Sequence, residues 1–442
     1  MTSPCTVASV LTAFIFMSGE GELWVEDPPQ GLSRLSPSPA PTGSAFLATA
    51  PDLNGDGAEE VVVGAPLDGE DAKGRVQLLS GKDGELLFAW QGEAPAGRLG
   101  SAVAAWAAEG GQAHIALGAP GASGGRGRVG LIQSSSPESI RWIDGAEGQT
   151  AFGFALSGGR DVTGDGHADL VVGAPASEGK GSVALVDGVA GKVPWRVSAG
   201  DPAGCFGYDV TFTPDLNGDG IADVLVGHRG VGAVALSGRD GARLFELGEP
   251  ALGRRIGDSV AALRRPSGGP LLVVGSGGLP GDQGLDEEAR AELPDPGIFV
   301  FDGETRRRSS AVGFGIPGHL MHRTTVGLRL KNVGDFDGDG HDDLAICQPN
   351  GYLIYGPSGR VDLRSGAKDT KLGSTYHGGV RLAFGAYQFG TDACGVLRDG
   401  KRILVMACPT DGGVAAAQAG PEIGAKQGRD HALPGVWVRQ DR

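Results

Sequence analysis

Short apolar runs stand at regular intervals along this chain, each set off by a polar, glycine-rich turn. The first stretch shows the pattern, with strand candidates at 45–49, 60–64, 74–79 and 85–90. Runs this short, rich in Val and Leu and bounded by Gly, Asp and Pro, predict strands rather than helices. The same frame recurs. Its openings are Phe46-Leu47, Leu99-Gly100, Phe152-Gly153, Phe206-Gly207, Ile256-Gly257, Val326-Gly327 and Phe384-Gly385, whose second residues are 53, 53, 54, 50, 70 and 58 apart. A fixed period of this size, with four strands per unit, predicts an all-β fold: a seven-bladed β-propeller with four-stranded blades. The last unit has strands near 384–390 and 402–408, a long insert, and then PGVWVRQDR, which resembles the third strand of unit five. GELWVEDPP near the N-terminus resembles the fourth strand of unit one. Residues 21–26 are therefore expected to complete blade seven beside 435–440, so that no sheet edge is left open.

Four of the units carry an acidic loop between their first two strands: DLNGDGAEE from Asp52, DVTGDGHAD from Asp161, DLNGDGIAD from Asp215 and DFDGDGHDD from Asp335. Side-chain oxygens recur at positions one, three, five and nine. In the first loop these are Asp52, Asn54, Asp56 and Glu60, and in the second Asp161, Thr163, Asp165 and Asp169. The third has Asp215, Asn217, Asp219 and Asp223, and the fourth Asp335, Asp337, Asp339 and Asp343. At position seven stand Ala58, His167, Ile221 and His341, where a backbone carbonyl serves and the side chain can point away. Ca²⁺ takes six to eight oxygens, and alternate residues of a tight turn can wrap them around one ion. Up to four Ca²⁺ are expected. An EF-hand needs a bidentate Glu at position twelve and flanking helices. Position twelve here is Val63, Val172, Val226 or Ile346, each inside a β-branched run, so the loops join strands.

These residues resemble the FG-GAP repeat, the unit of the integrin α-subunit propeller. The two elements stand as Phe152-Gly153 with Gly173-Ala174-Pro175, as Leu99-Gly100 with Gly118-Ala119-Pro120, and as Gly64-Ala65-Pro66. The resemblance runs from about Gly21 to the end. It implies calcium in the loop between the first and second strands of a blade, which carries over to the four loops above and not to units two, five and seven. Integrins place their ions in consecutive late blades, whereas here the loops fall in units one, three, four and six. Integrin-type heterodimerisation is not implied, and an exported bacterial-style FG-GAP protein is the closer comparison.

Charge narrows the partners. The net charge of −15 argues against nucleic acid and anionic membrane surfaces. Positions one, three, five and nine of the loops hold 13 acidic side chains. Four Ca²⁺ would bring the net charge to about −7. The apolar stretch from Val7 to Met17 is too short to span a bilayer and reads as a signal-peptide core, giving a leader over 1–19 and a single propeller over 20–442. No other segment is a transmembrane candidate. Export suits loops of weak calcium affinity, since extracellular calcium is millimolar. Five cysteines at these spacings give no disulfide framework and no zinc motif, so buried free thiols are expected.

The up-and-down order of a blade puts the calcium loops on one face. The long inserts 276–296, 306–325, 365–383 and 409–434 are expected on the other, in adjacent blades five to seven. They contain Arg306, Arg307, Arg308, His319, His322, Arg323, Tyr376, His377, Arg381, Arg429, Asp430 and His431. Such a sector is expected to recognise a protein or glycan ligand, with Arg and Tyr as anchors. No GxSxG, HExxH or P-loop occurs. The reading is an exported, calcium-binding cell-surface or extracellular adhesion module. The alternative is a propeller hydrolase or lyase acting on glycans or phosphodiesters through carboxylates or histidines of the same sector.

Overall fold

The computed structural model describes residues 21–27, 31–35, 46–176, 181–200, 205–248, 256–276, 297–314, 329–335, 340–348, 351–355, 392–409 and 436–440. The chain is all-β there, and its helical content among the described residues is three short 3₁₀ turns. β1 (Gly21–Asp27) and β2 (Gly31–Leu35) come first. One sheet holds β3 (Phe46–Ala50), β4 (Glu60–Ala65), β5 (Arg75–Ser80) and β6 (Leu86–Gln91). The next holds β7 (Ala102–Ala107), β8 (Ala113–Ala119), β9 (Arg128–Gln133) and β10 (Arg141–Asp144). The third holds β11 (Ala155–Arg160), β12 (Asp169–Ala174), β13 (Ser182–Val186) and β14 (Trp195–Ser198). The fourth holds β15 (Cys205–Thr213), β16 (Asp223–Arg229), β17 (Gly232–Leu236) and β18 (Arg243–Leu247). The fifth runs β19 (Ile256–Leu263), β20 (Leu271–Ser276), β21 (Gly297–Asp302) and β22 (Arg308–Phe314). The sixth shows β23 (Arg329–Gly334), β24 (Asp343–Gln348) and β25 (Gly351–Tyr355). The last is built on β26 (Asp392–Arg398) and β27 (Lys401–Pro409), and β28 (Val436–Gln440) ends the series.

All strand pairings within the sheets are antiparallel, and most sheets have four strands, the form of a propeller blade. The four strands of the first unit lie within one residue of their sequence-based positions. The second strands are buried along their whole length, as in EVVVGA, DLVVGA and AHIALGA. That explains their unbroken apolar runs, because both faces of each strand are covered. Each buried Val or Leu contributes about 1.5–3 kcal/mol, and these strands therefore carry much of the core. The outer strands, such as β6 and β10, are mostly exposed or half-buried.

The first strands meet one another in succession: β3 packs on β7, β7 on β11, β11 on β15, β15 on β19, β19 on β23, β23 on β26, and β26 on β3. The glycines that punctuate the sequence sit at these contacts. Gly100, Gly153 and Gly207 have φ of 90°, 89° and 82°, and their backbones lie against Gly64, Gly118 and Gly173 of the preceding sheet. A Cβ on Gly64 would run into the carbonyl of Gly100, and one on Gly118 into that of Gly153. Two glycines facing each other across neighbouring sheets are what the paired sequence elements record.

Three features differ from expectation. β1 does pair with the last unit, Gly21 opposite Pro409 and Glu26 opposite Leu404, but β2 follows it to the edge. The N-terminal segment thus supplies two strands rather than one. β28 does not join that sheet: it pairs with β22, Val438 opposite Val312, as a fifth strand of the fifth sheet. An alternating strand satisfies any open edge equally well, and sequence pattern alone does not choose between edges. Cys205, at the start of β15, is disulfide-bonded, whereas Cys347 and Cys394 are free and buried. Spacing gave no sign of that bridge. The expected leader, most of the long inserts, and His319, His322, Arg323, Tyr376, His377, Arg381, Arg429, Asp430 and His431 lie outside the described residues.

Candidate metal centres

Each acidic loop leaves the first strand of a sheet and returns into the second, and in the first three the position-nine acid opens a strand buried along all, or all but the last residue, of its length. Glu60, Asp169 and Asp223 are completely buried. Their carboxylates turn back into the loop. Glu60 Oε1 accepts from the amides of Leu53 (3.0 Å) and Asn54 (3.3 Å). Asp169 Oδ2 accepts from Val162 and Thr163 (both 2.8 Å), and Asp223 Oδ2 from Leu216 (2.7 Å). Asp169 and Asp223 also tie in the next hairpin of the sheet, through the amides of Gly188 (3.3 Å) and Gly238 (3.0 Å). Glu60 Oε2 is buried with no hydrogen-bond partner.

The position-one acid organises the turn. Asp52 accepts from the amides of Gly55 (2.7 Å) and Gly57 (3.0 Å), Asp161 from Gly164 (2.7 Å) and Gly166 (2.9 Å), and Asp215 from Gly218 and Gly220 (both 2.7 Å). Position three caps position five: Asn54 Oδ1 accepts from Asp56, and Asn217 Oδ1 from Asp219, each at 2.9 Å. Position five in turn accepts from the amide of position seven, Asp56 from Ala58, Asp165 from His167 and Asp219 from Ile221. Three loops thus share the contacts of positions one, five and nine, while in the second loop the position-three hydroxyl of Thr163 donates to Asp169 Oδ1 (3.4 Å) instead. In the fourth loop Asp335 Oδ2 accepts from Gly340 (2.9 Å) and Asp343 is buried, while Asp337 and Asp339 lie outside the described residues. His167 is exposed and His341 half-buried.

The electrostatics split the donors. Burial pushes Glu60 up to about 7, helped by the charges of Asp56 and Asp52 and opposed by the two amides. Burial also raises Asp169 and Asp223. At the mouth the balance is opposite. Slight burial of Asp215 is outweighed by four amides, which hold it below the usual carboxylate range. The amide of Ile221 and the side chain of Arg239 lower Asp219.

The donor set is all oxygen, which suits a hard cation. A buried, unpartnered carboxylate oxygen at Glu60 fits the same reading, because such an atom is costly unless something positive meets it. Among the described residues, however, no three Asp, Glu, His or Cys side chains are gathered into metal-binding geometry, since the carboxylates are turned onto backbone amides.

Two bases were missed from sequence. Lys82 Nζ donates to the carbonyl of Asp56 (2.7 Å), and Arg239 donates to Asp219 Oδ2 (3.0 Å) and to its carbonyl (3.4 Å). Both sit in the hairpin between the third and fourth strands, SGKDG and SGRDG. The matching hairpin of the third sheet reads DGVAG and places Val189 there. Superposing the repeats would have found this. The position-eight acids have their own task. Glu59 donates its amide to Leu397 (2.8 Å) and accepts from the Leu397 amide (2.7 Å), joining the first and last sheets. Asp342 accepts from the amide of Arg264 (2.9 Å) in the fifth sheet.

Comparison with known proteins agrees with the motif. The FG-GAP repeat family matches residues 45–79 and 152–186, which contain the first two acidic loops. The chain is 29% identical over 206 residues to integrin alpha-V of Gallus gallus, covering 42% of this chain and 20% of that protein. It is 33% identical over 158 residues to integrin alpha-PS2 of Drosophila melanogaster, covering 30% of this chain and 11% of that protein. The chain carries FG-GAP repeats and is similar to integrin α subunits, and the similarity spans a fifth or less of those relatives.

Proposed function

We propose that this chain is a seven-bladed β-propeller, closed by its N-terminal strands, that binds calcium in the loops of blades one, three, four and six and serves as an exported adhesion-type binding module. The observation that carries the calcium reading is the shared hydrogen-bonded turn of three loops with side-chain oxygens at positions one, three, five and nine, together with the buried, unpartnered Oε2 of Glu60. Asp52, Asn54, Asp56 and Glu60 would hold the first ion, with the equivalent residues of the other loops holding theirs. Calcium supplies positive charge that neutralises packed carboxylates and ties the first two strands of a blade to its outer hairpin. The succession of inner-strand contacts, ending with β26 against β3, supports the closed propeller. Similarity to integrin α subunits supports the adhesion role, with a protein or glycan ligand on the long-loop face of blades five to seven.

The test has two parts. Terbium luminescence, competed by calcium, should reveal up to four saturable sites in the chain, and their absence would remove the metal reading. Fractionation of the native host should place the chain outside the cytoplasm, where cytoplasmic retention would remove the adhesion reading.

A further inference from the structure

Between β18, at the edge of the fourth sheet, and the β21–β22 hairpin of the fifth lies a cavity of about 370 Å³. Its floor is apolar: Leu247 and Phe301 line it and are otherwise buried. Its walls are charged. Arg306 and Arg307 are exposed, Arg308 is half-buried, and Glu246 faces them from β18. Arg243 Nη1 holds Glu246 Oε1 at 3.1 Å, adding a fourth guanidinium beside one carboxylate. A cluster of this sign stands out on a chain of net charge −15.

The backbone gives a second, independent reason to single out this site. Three other sheets turn from third to fourth strand through the same hydrogen bond, Gly84 to Ser80 (2.9 Å), Gly191 to Asp187 (2.9 Å) and Gly241 to Ser237 (2.8 Å), with glycine at φ of 82°, 67° and 74°. In the fifth sheet the equivalent bond runs from Arg306 to Asp302 (2.8 Å), and Arg306 has φ 60°. Glycine adopts this conformation freely, whereas a residue with a Cβ is strained there. The hairpin itself does not require arginine, since glycine closes it three times in this chain. The guanidinium of the same residue lies over the Phe245 ring, 4.5 Å from the centroid. Positive φ recurs at seven other non-glycine residues among those described, and Arg306 combines it with a guanidinium over an aromatic ring at a cavity wall.

We propose that this cavity binds a sugar bearing a sulfate or phosphate ester. Guanidinium forks match tetrahedral oxyanions with several hydrogen bonds at once, which a single ammonium does not do. The Glu246 carboxylate accepts from sugar hydroxyls, and Phe301 and Leu247 meet the C–H face of the ring. The volume lies within the usual small-molecule range of about 300–1,000 Å³. The inference is independent of cation binding, and its arginines, expected in the 306–325 insert, lie in the β21–β22 hairpin and the start of β22.

The experiment is calorimetric titration of the full chain in calcium with a sulfated heparin-derived disaccharide, glucose 6-phosphate, maltose and inorganic sulfate. The expected result is saturable binding of at least one of the two esters, with maltose and inorganic sulfate at least tenfold weaker. The sulfated and phosphorylated arms identify which ester is preferred. Arg306→Gly should weaken ester binding at least tenfold while its melting temperature equals or exceeds that of the parent, because the strain is relieved. Arg306→Lys keeps the charge and the strain but loses the fork, and should also bind more weakly. No saturable binding of either ester, equal binding of maltose or sulfate, or unchanged binding by both variants would overturn the proposal.

Discussion

The loops at 52–60 and 215–223 have a base at position five, and the loop at 161–169 has none. Lys82 and Arg239 reach from the outer hairpin to Asp56 and Asp219, whereas Val189 occupies the corresponding position of the third sheet's hairpin. All three loops keep an acid at positions one, five and nine, and the 161–169 loop differs both in Thr163 at position three and in what the outer hairpin brings to it. An exposed ion pair of this kind is worth about 0.2–1 kcal/mol. A cation held with millimolar affinity is worth about 4 kcal/mol. On the proposed reading, the base would tune a loop and would not replace its ion. The 161–169 loop, with three carboxylates and Val189 at the position of Lys82 and Arg239, should depend most on calcium.

The largest effect that would sharpen this comparison is removal of a position-nine acid. Asp169→Ala strips acceptors from the amides of Val162, Thr163 and Gly188. Leaving such groups unsatisfied should cost about 3 kcal/mol in a urea melt, and Asp223→Ala should cost a similar amount. A loss under 1 kcal/mol in both would mean that these carboxylates do not hold the loops.

The seam between the first and last sheets comes next. Glu59 is the position-eight acid, and Ala168 and Ala222 occupy that position in the base-free loop and the Arg239 loop. Glu59→Ala should lose about 1–2 kcal/mol, together with faster amide exchange at Leu397. Unchanged exchange there would show that the contact does not join the sheets.

Smaller effects test the bases directly. Lys82→Met and Arg239→Met should each tighten calcium at their own loop a few-fold, about 0.5–1 kcal/mol, and Val189→Lys should weaken it at 161–169 by a similar factor. Terbium luminescence competed by calcium reads all three. If the three variants leave affinity untouched, the comparison between loops has no energetic content.

A pH dependence from outside the loops provides the control. Burial pushes Asp258 up to about 7 although Arg229 lies 2.9 Å away. A carboxyl whose folded pKa exceeds its unfolded value near 3.9 contributes stability that is full below about 4 and lost as pH rises through 7. Asp258→Asn should flatten that slope in thermal melts between pH 4 and 7, and an unchanged slope would assign it to other groups.

The strands and loops were legible in sequence because their causes are local. VVVGAP is unbroken because β4 is covered on both faces, and DLNGDG turns where its own amides meet Asp52. The facing glycines were legible as a recurring motif, though their contact is between sheets. What was not legible depends on partners distant in the chain. β28 pairs with an edge more than a hundred residues upstream, and no feature of VWVRQ names that edge. Arg306 was placed in a long insert, but it lies in the tight β21–β22 turn, where its φ is hidden because the equivalent hairpins use glycine. Lys82 and Arg239 act on loops some twenty residues away, and only alignment of the repeats brings them into view.

The most direct test of the account is a thermal melt of the full chain in chelator and across a calcium titration, with magnesium as control. The account predicts a saturable, calcium-specific rise in melting temperature that is smaller for Asp165→Ala than for the parent. A melting temperature unchanged by calcium would contradict it, and the acidic loops would then be turns held by their own backbone amides.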